Sequence, residues 1–80
     1  MLRPVLSNRF KKNYSSMEKR GCDMSLIDAV IETLLEEKPL PPIRRDHPLH
    51  GNWEGFRECH VLNDWLLIYK TDGVNLIAVS

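Results

Sequence analysis

The sequence predicts an α+β domain: two N-terminal helices packed on one face of a curved antiparallel sheet, in the order β-α-α-β-β-β. Two observations carry this expectation. Before Pro39 the apolar residues recur at helical spacing, and after Gly51 they alternate with period two among aromatic and β-branched residues. In addition, Asn63-Asp64 and Asp72-Gly73 divide the second half into three runs joined by turns too short for anything but antiparallel pairing.

Each element follows from local chemistry. Leu2, Val5 and Leu6 make a short apolar start, but Pro4 lacks a backbone donor and confines a strand there to a sheet edge. From Asn8 to Arg20, Phe10, Tyr14 and Met17 form one face of a helix capped by Ser7 or Asn8 and stopped by Gly21. A second helix has Asp23 or Ser25 as its cap and an apolar stripe of Leu26, Ile27, Val30, Ile31, Leu34 and Leu35. Pro39, Pro41 and Pro42 forbid its continuation and predict a stiff connector to Arg44, Arg45 and Asp46. The strands then run from Phe56 to Leu62, Trp65 to Thr71 and Val74 to Val79.

With 80 residues, the chain is expected to form one domain spanning positions 1–80, so any function lies on its own surface. Its formal net charge is zero, yet Arg3, Arg9, Lys11, Lys12, Lys19 and Arg20 face only Glu18 in the first twenty residues. The next twenty are acidic, so neutrality hides a dipolar molecule whose basic segment suits phosphates. Cys22 and Cys59 lack the spacing of a zinc or redox pair, and no signal-peptide pattern opens the chain. Reduced thiols in the cytoplasm are the expectation. The longest apolar run, Trp65 to Tyr69, is far short of a membrane span.

Three histidines cluster at His47, His50 and His60. Their spacing matches no zinc motif, so neither metal nor other cofactor is expected. The residues alone form a candidate basic, aromatic and histidine-bearing surface that does not by itself name RNA. Metal-free cleavage of RNA is one chemistry to weigh, and it needs a base for the ribose 2′-OH, an acid for the leaving 5′-oxygen and cations near the phosphorane. Imidazoles suit both proton transfers, and Arg57 offers a fork of donors. Trp53, Phe56 and Trp65 lie in the same segment. Stacking on bases is one role for them, and core packing is the other, favoured for Phe56 and then Trp53. Strand alternation places Phe56, Glu58 and His60 on one face and Arg57, Cys59 and Val61 on the other.

The stretch from Asp46 to Lys70 closely resembles the YafQ branch of the RelE/ParE toxins. It carries Asp46-His47-Pro48-Leu49-His50-Gly51, then Gly55-Phe56-Arg57, then His60 with Asp64-Trp65-Leu66-Leu67-Ile68-Tyr69. The resemblance implies a RelE-like fold and a ribosome-dependent, metal-independent endoribonuclease that cleaves messenger RNA. It also implies a RelB/DinJ-type antitoxin as partner in a hetero-oligomer. Carried onto this chain, the family's functional positions are His47, His60, Asp64 and Trp65. The histidines are then proton-transfer or phosphate-contacting groups, Asp64 orients an imidazole or acts as a base, and Trp65 meets the RNA or buttresses the site. Arg57, Lys11 and Lys12 join Trp65 as expected RNA contacts. The family's short tail with a histidine and a terminal phenylalanine has no counterpart among residues 1–80. Absence of a general acid slows such chemistry by about two to four orders of magnitude, which makes a catalytically impaired, antitoxin-binding toxin the alternative expectation.

Overall fold

The computed structural model describes residues 1–80 and contains, in order, β1 (Arg3–Leu6), α1 (Asn8–Lys19), α2 (Ser25–Leu35), β2 (His47–Pro48), β3 (Arg57–Leu62), β4 (Trp65–Thr71) and β5 (Asn75–Ala78). The five strands make one sheet in the order β1-β5-β4-β3-β2. Three of the neighbouring pairs are antiparallel, but β1 runs parallel to β5, so the sheet is mixed rather than wholly antiparallel. The reason lies in the path of the chain, because the helices and the β2–β4 meander separate β1 from its partner and free it from hairpin geometry. Pro4 stands on this edge strand, where its missing donor costs no ladder bond. The two-residue β2 and the 3-10 turns at Pro42–Arg44 and Gly51–Trp53 are the other departures from the expected element list.

The helix ends show how the sequence sets the boundaries. Ser7 Oγ accepts from the Phe10 N–H at 3.0 Å and donates to the Val79 carbonyl at 2.9 Å, so one hydroxyl both caps α1 and ties it to the end of β5. At the start of α2 the Asp23 carboxylate accepts from the Ser25 N–H and hydroxyl, which holds its carboxyl below the usual range. The helix ends at Leu35, where Glu37 takes a left-handed φ of 58° before Pro39.

Alternation in the strands divides the sheet into a covered and an open face. Phe10 and Met17 of α1 and Ile27, Val30 and Leu34 of α2 pack against Cys59, Val61, Trp65, Leu67, Tyr69, Leu76 and Ala78. Glu58, His60, Leu66, Ile68 and Lys70 have the opposite parity and stay outside this core. Between Asp72 and Asn75 the turn is closed by the Asp72 carboxylate, which accepts from the Val74 and Asn75 N–H groups and is held below its usual pKa by them.

Cys59 is fully buried in this core, while Cys22 is half-buried beside it. Burial pushes the Cys59 thiol up to about 12, the nearby Asp46 carboxylate adding to the shift. At pH 8 that leaves about one thiolate in ten thousand, so only Cys22 is expected to react with iodoacetamide in the native chain, and both in denaturant. The sign for stability follows. The raised thiol pKa gives a contribution that is whole below pH 9.0, its unperturbed value, and is lost as pH rises toward about 12. Mass-spectrometric counting of alkylated cysteines checks this, and rapid double labelling at pH 8 without denaturant contradicts it.

Candidate active site

The open face is organised around β3. His47 sits directly across from Glu58 in the β2–β3 register, and its Nε2 lies 3.3 Å from Glu58 Oε1. Its Nδ1 is 3.2 Å from the Pro48 carbonyl oxygen, so both ring nitrogens face acceptors. His60 projects from the same face two residues beyond Glu58, beside a register shift between His60 and Leu62. One donor atom each from His47, Glu58 and His60 lies within 4.8 Å of the others.

Glu58 is the functional candidate that reading for histidines and aspartates passes over. Its signal was present in the alternation, which already placed it with His60, but the return of His47 beside it required the unforeseen β2. Glu58 thus stands in space with His47 and His60 as a third donor that sequence spacing did not bring to them. Two imidazoles and a carboxylate suit borderline cations such as copper and zinc, which would draw the donors to about 2.0–2.2 Å from the ion.

Around the trio the open face carries cationic and aromatic groups. Phe56 is half-buried, with the Lys70 ammonium 4.9 Å from its ring centroid and the exposed Trp53 edge-on at 5.4 Å. On the other side an open cleft of about 450 Å³ is bordered by Arg20, Glu58, Asp64, Leu66 and Ile68. Arg20 Nη2 meets Asp64 Oδ2 at 3.1 Å, and both side chains are more than half exposed, so this pair is a solvated rim and not a buried bridge. Asp64 is thus engaged with Arg20, and neither histidine is its partner. Arg20, read from the sequence only as part of the basic segment, is brought here to the cleft beside Asp64. Lys11 and Lys12 lie on α1 with Lys19, on an open basic surface next to the cleft; Ser16 borders both.

Two of the expected RNA contacts stand elsewhere. Trp65 is only 4% exposed and packs within the core, its Nε1 buried without a hydrogen-bond partner. Its ring is therefore no stacking platform. The aromatic assignment is reversed: Phe56 and Trp53, for which core packing was favoured, are the rings on the open side. Arg57 has the parity of Cys59, and its Nε donates to Asp46 Oδ1 at 3.2 Å. The same oxygen accepts from the Tyr69 hydroxyl at 2.7 Å, and burial followed by that bond raises the Tyr69 pKa well above the ordinary phenol value. His50 is exposed and joins neither group.

Comparison with known proteins places this arrangement. "mRNA interferase toxin YafQ" of Escherichia coli (strain K12) is 40% identical over 65 residues, covering 80% of this chain and 71% of the relative. A copper-bound mutant toxin from Helicobacter pylori superposes with a TM-score of 0.93 at 38% identity, covering 98% of this chain and 89% of that one. The YafQ chain of an E. coli DinJ-YafQ complex gives a TM-score of 0.89 at 34% identity over 99% of this chain and 89% of that one. The family profile described as "Bacterial toxin of type II toxin-antitoxin system, YafQ" matches residues 2–80. The chain belongs to the YafQ family of bacterial toxins of type II toxin-antitoxin systems.

Proposed function

We propose that this chain cleaves messenger RNA on the ribosome, in the cytoplasm, without needing a metal ion, and that a DinJ-like antitoxin holds it in check as a hetero-oligomer. The observation that carries the reading is the convergence of His47, Glu58 and His60 on the open sheet face of a YafQ-family chain. The name of the E. coli relative and the DinJ-YafQ complex support the substrate and the partner.

The chemistry is an in-line transfer. The 2′-oxygen attacks phosphorus while a base takes its proton, the P–O5′ bond breaks, and an acid returns a proton to the leaving 5′-oxygen, giving a 2′,3′-cyclic phosphate and a 5′-hydroxyl. His47 is the donor in this reading, because its two ring nitrogens lie beside acceptors, the Pro48 carbonyl oxygen and Glu58 Oε1. His60 is the base. Glu58 orients the His47 ring toward the phosphorane. Asp64 fixes Arg20 at the cleft, where the guanidinium meets a flanking phosphate. Phe56 and Trp53 receive a base by stacking, and Lys70 adds a cation beside them.

Single-turnover cleavage on programmed ribosomes tests the roles. His60→Ala and Glu58→Gln are each expected to slow cleavage by about 10²–10⁴-fold, the usual range for general acid–base groups, with ribosome binding retained. Parent-like rates in both variants would remove the trio from the mechanism.

The basic surface of α1 acts at longer range. Reversing Lys11 and Lys12 to Glu is expected to weaken ribosome binding and flatten its dependence on salt, since fewer counterions are released on contact. Affinity titrations at two or more ionic strengths read this, and an unchanged salt slope contradicts it.

A divalent cation has a definite consequence at this site. The copper-bound Helicobacter pylori relative shows that a similar toxin holds copper, and here one donor atom each from His47, Glu58 and His60 lies within 4.8 Å of the others. Coordination occupies the imidazole lone pairs needed for proton transfer. One equivalent of Cu²⁺ is therefore expected to inhibit cleavage, with EDTA restoring it and Glu58→Gln weakening the binding measured by calorimetry. Full activity with copper bound at one equivalent would refute this.

A further inference from the structure

The segment that delivers His47 is held from the side of the sheet opposite the histidines. Arg44 Nη1 donates to the Val61 carbonyl at 2.8 Å, and Arg45 then turns the chain through a left-handed φ of 49°. Asp46 follows, and its Oδ1 accepts from both the Tyr69 hydroxyl at 2.7 Å and Arg57 Nε at 3.2 Å. Arg57 and Tyr69 are register partners across β3 and β4. One carboxylate oxygen therefore fastens the entry to β2 onto two strands at once.

The backbone alone is a weak determinant of this position. Only His47 and Pro48 belong to β2, opposite Glu58 and Arg57, and Pro48 has no N–H for the ladder. Successive residues of a strand point to opposite faces, so a restraint on Asp46 fixes the backbone from which His47 projects the other way.

We propose that Asp46, held by Arg57 and Tyr69, is a positioning residue that sets the His47 imidazole against Glu58 on the reactive face. The proposal rests on the ribonuclease reading of that face and gives Arg57 a role other than RNA contact. A displacement of about 1 Å at a reacting group can cost on the order of 10²-fold in rate. Asp46→Ala is accordingly expected to slow single-turnover cleavage by roughly 10- to 100-fold with little change in the half-saturating concentration. Asp46→Asn keeps an oxygen acceptor in place and should recover most of the rate. Tyr69→Phe, which removes one of the two donors, should fall between them.

A structural readout accompanies the kinetics. In Asp46→Ala the NMR signals of the His47 ring should move while those of His60 stay near their parent positions. Parent-like cleavage by a folded Asp46→Ala chain overturns the proposal. So does a loss confined to half-saturation, which would make Arg57 an RNA contact, or an equal loss in Asp46→Asn and Asp46→Ala. If Asp46→Ala fails to fold, Asp46→Asn and Tyr69→Phe carry the decision by the same criteria. If the parent chain does not cleave message, the ribonuclease reading fails, and the His47 signals still decide whether Asp46 sets that ring.

Discussion

The pleat of β3 is the constraint on which the rest depends. Within this one strand Cys59 and Val61 enter the core beneath the helices, and Glu58 and His60 face outward beside them. A slip of one residue against β4 would exchange the two sets. A carboxylate and an imidazole would then enter an apolar core that contains no buried polar or charged residue, at a cost of several kcal/mol for each unpaired group, and two core residues would go to solvent. The register that keeps the core dry is therefore also the register that assembles the site. The packing of the core and the placement of the candidate site are set by the same pairing, Cys59 opposite Leu67 and Glu58 opposite Ile68.

Much of this was legible because short-range chemistry dictates it. Ser7 caps α1, the stripe of α2 buries Ile27, Val30 and Leu34, and Asp72-Gly73 closes the β4–β5 turn, as spacing and turn chemistry require. What escaped depends on contacts distant in sequence. The parallel pairing of β1 with β5 joins Arg3 to Asn75, and no local pattern encodes it. The strand β2 is too short for periodicity to register, so Glu58 could not be matched to His47. The aromatic reversal has the same origin. Trp65 shares the parity of Leu67 and Tyr69, which marks it as core, while its place beside Asp64 is where family resemblance puts a functional position.

The two faces of the sheet divide the work between rigidity and chemistry. On the covered side the Asp46 carboxylate is partly shielded, and the Tyr69 hydroxyl that binds it is buried, so the geometry there resists exchange with water. On the open side the His47 and Glu58 side chains retain 47% and 19% of their exposure, which leaves room for a phosphate to reach them. A charged group that must meet substrate benefits from being accessible, and one that must hold position benefits from being enclosed. Placing the two on adjacent residues, Asp46 and His47, gives both properties to a segment with almost no backbone ladder of its own.

That openness gives the proposed dependence on a ribosome a physical basis. Preorganised charges stabilise a phosphorane strongly when water is excluded, and the advantage shrinks as the effective dielectric rises. The trio lies on an exposed sheet face, the flanking cleft is open, and the Arg20–Asp64 pair is solvated, so water reaches these groups. A free RNA strand would also have to be ordered against the two imidazoles at its own entropic cost. A ribosome that presents message in a fixed path and covers the face with a second surface would supply both missing factors. On this reading the small domain contributes the proton-transfer groups and the register that holds them, and enclosure comes from the partner it docks upon.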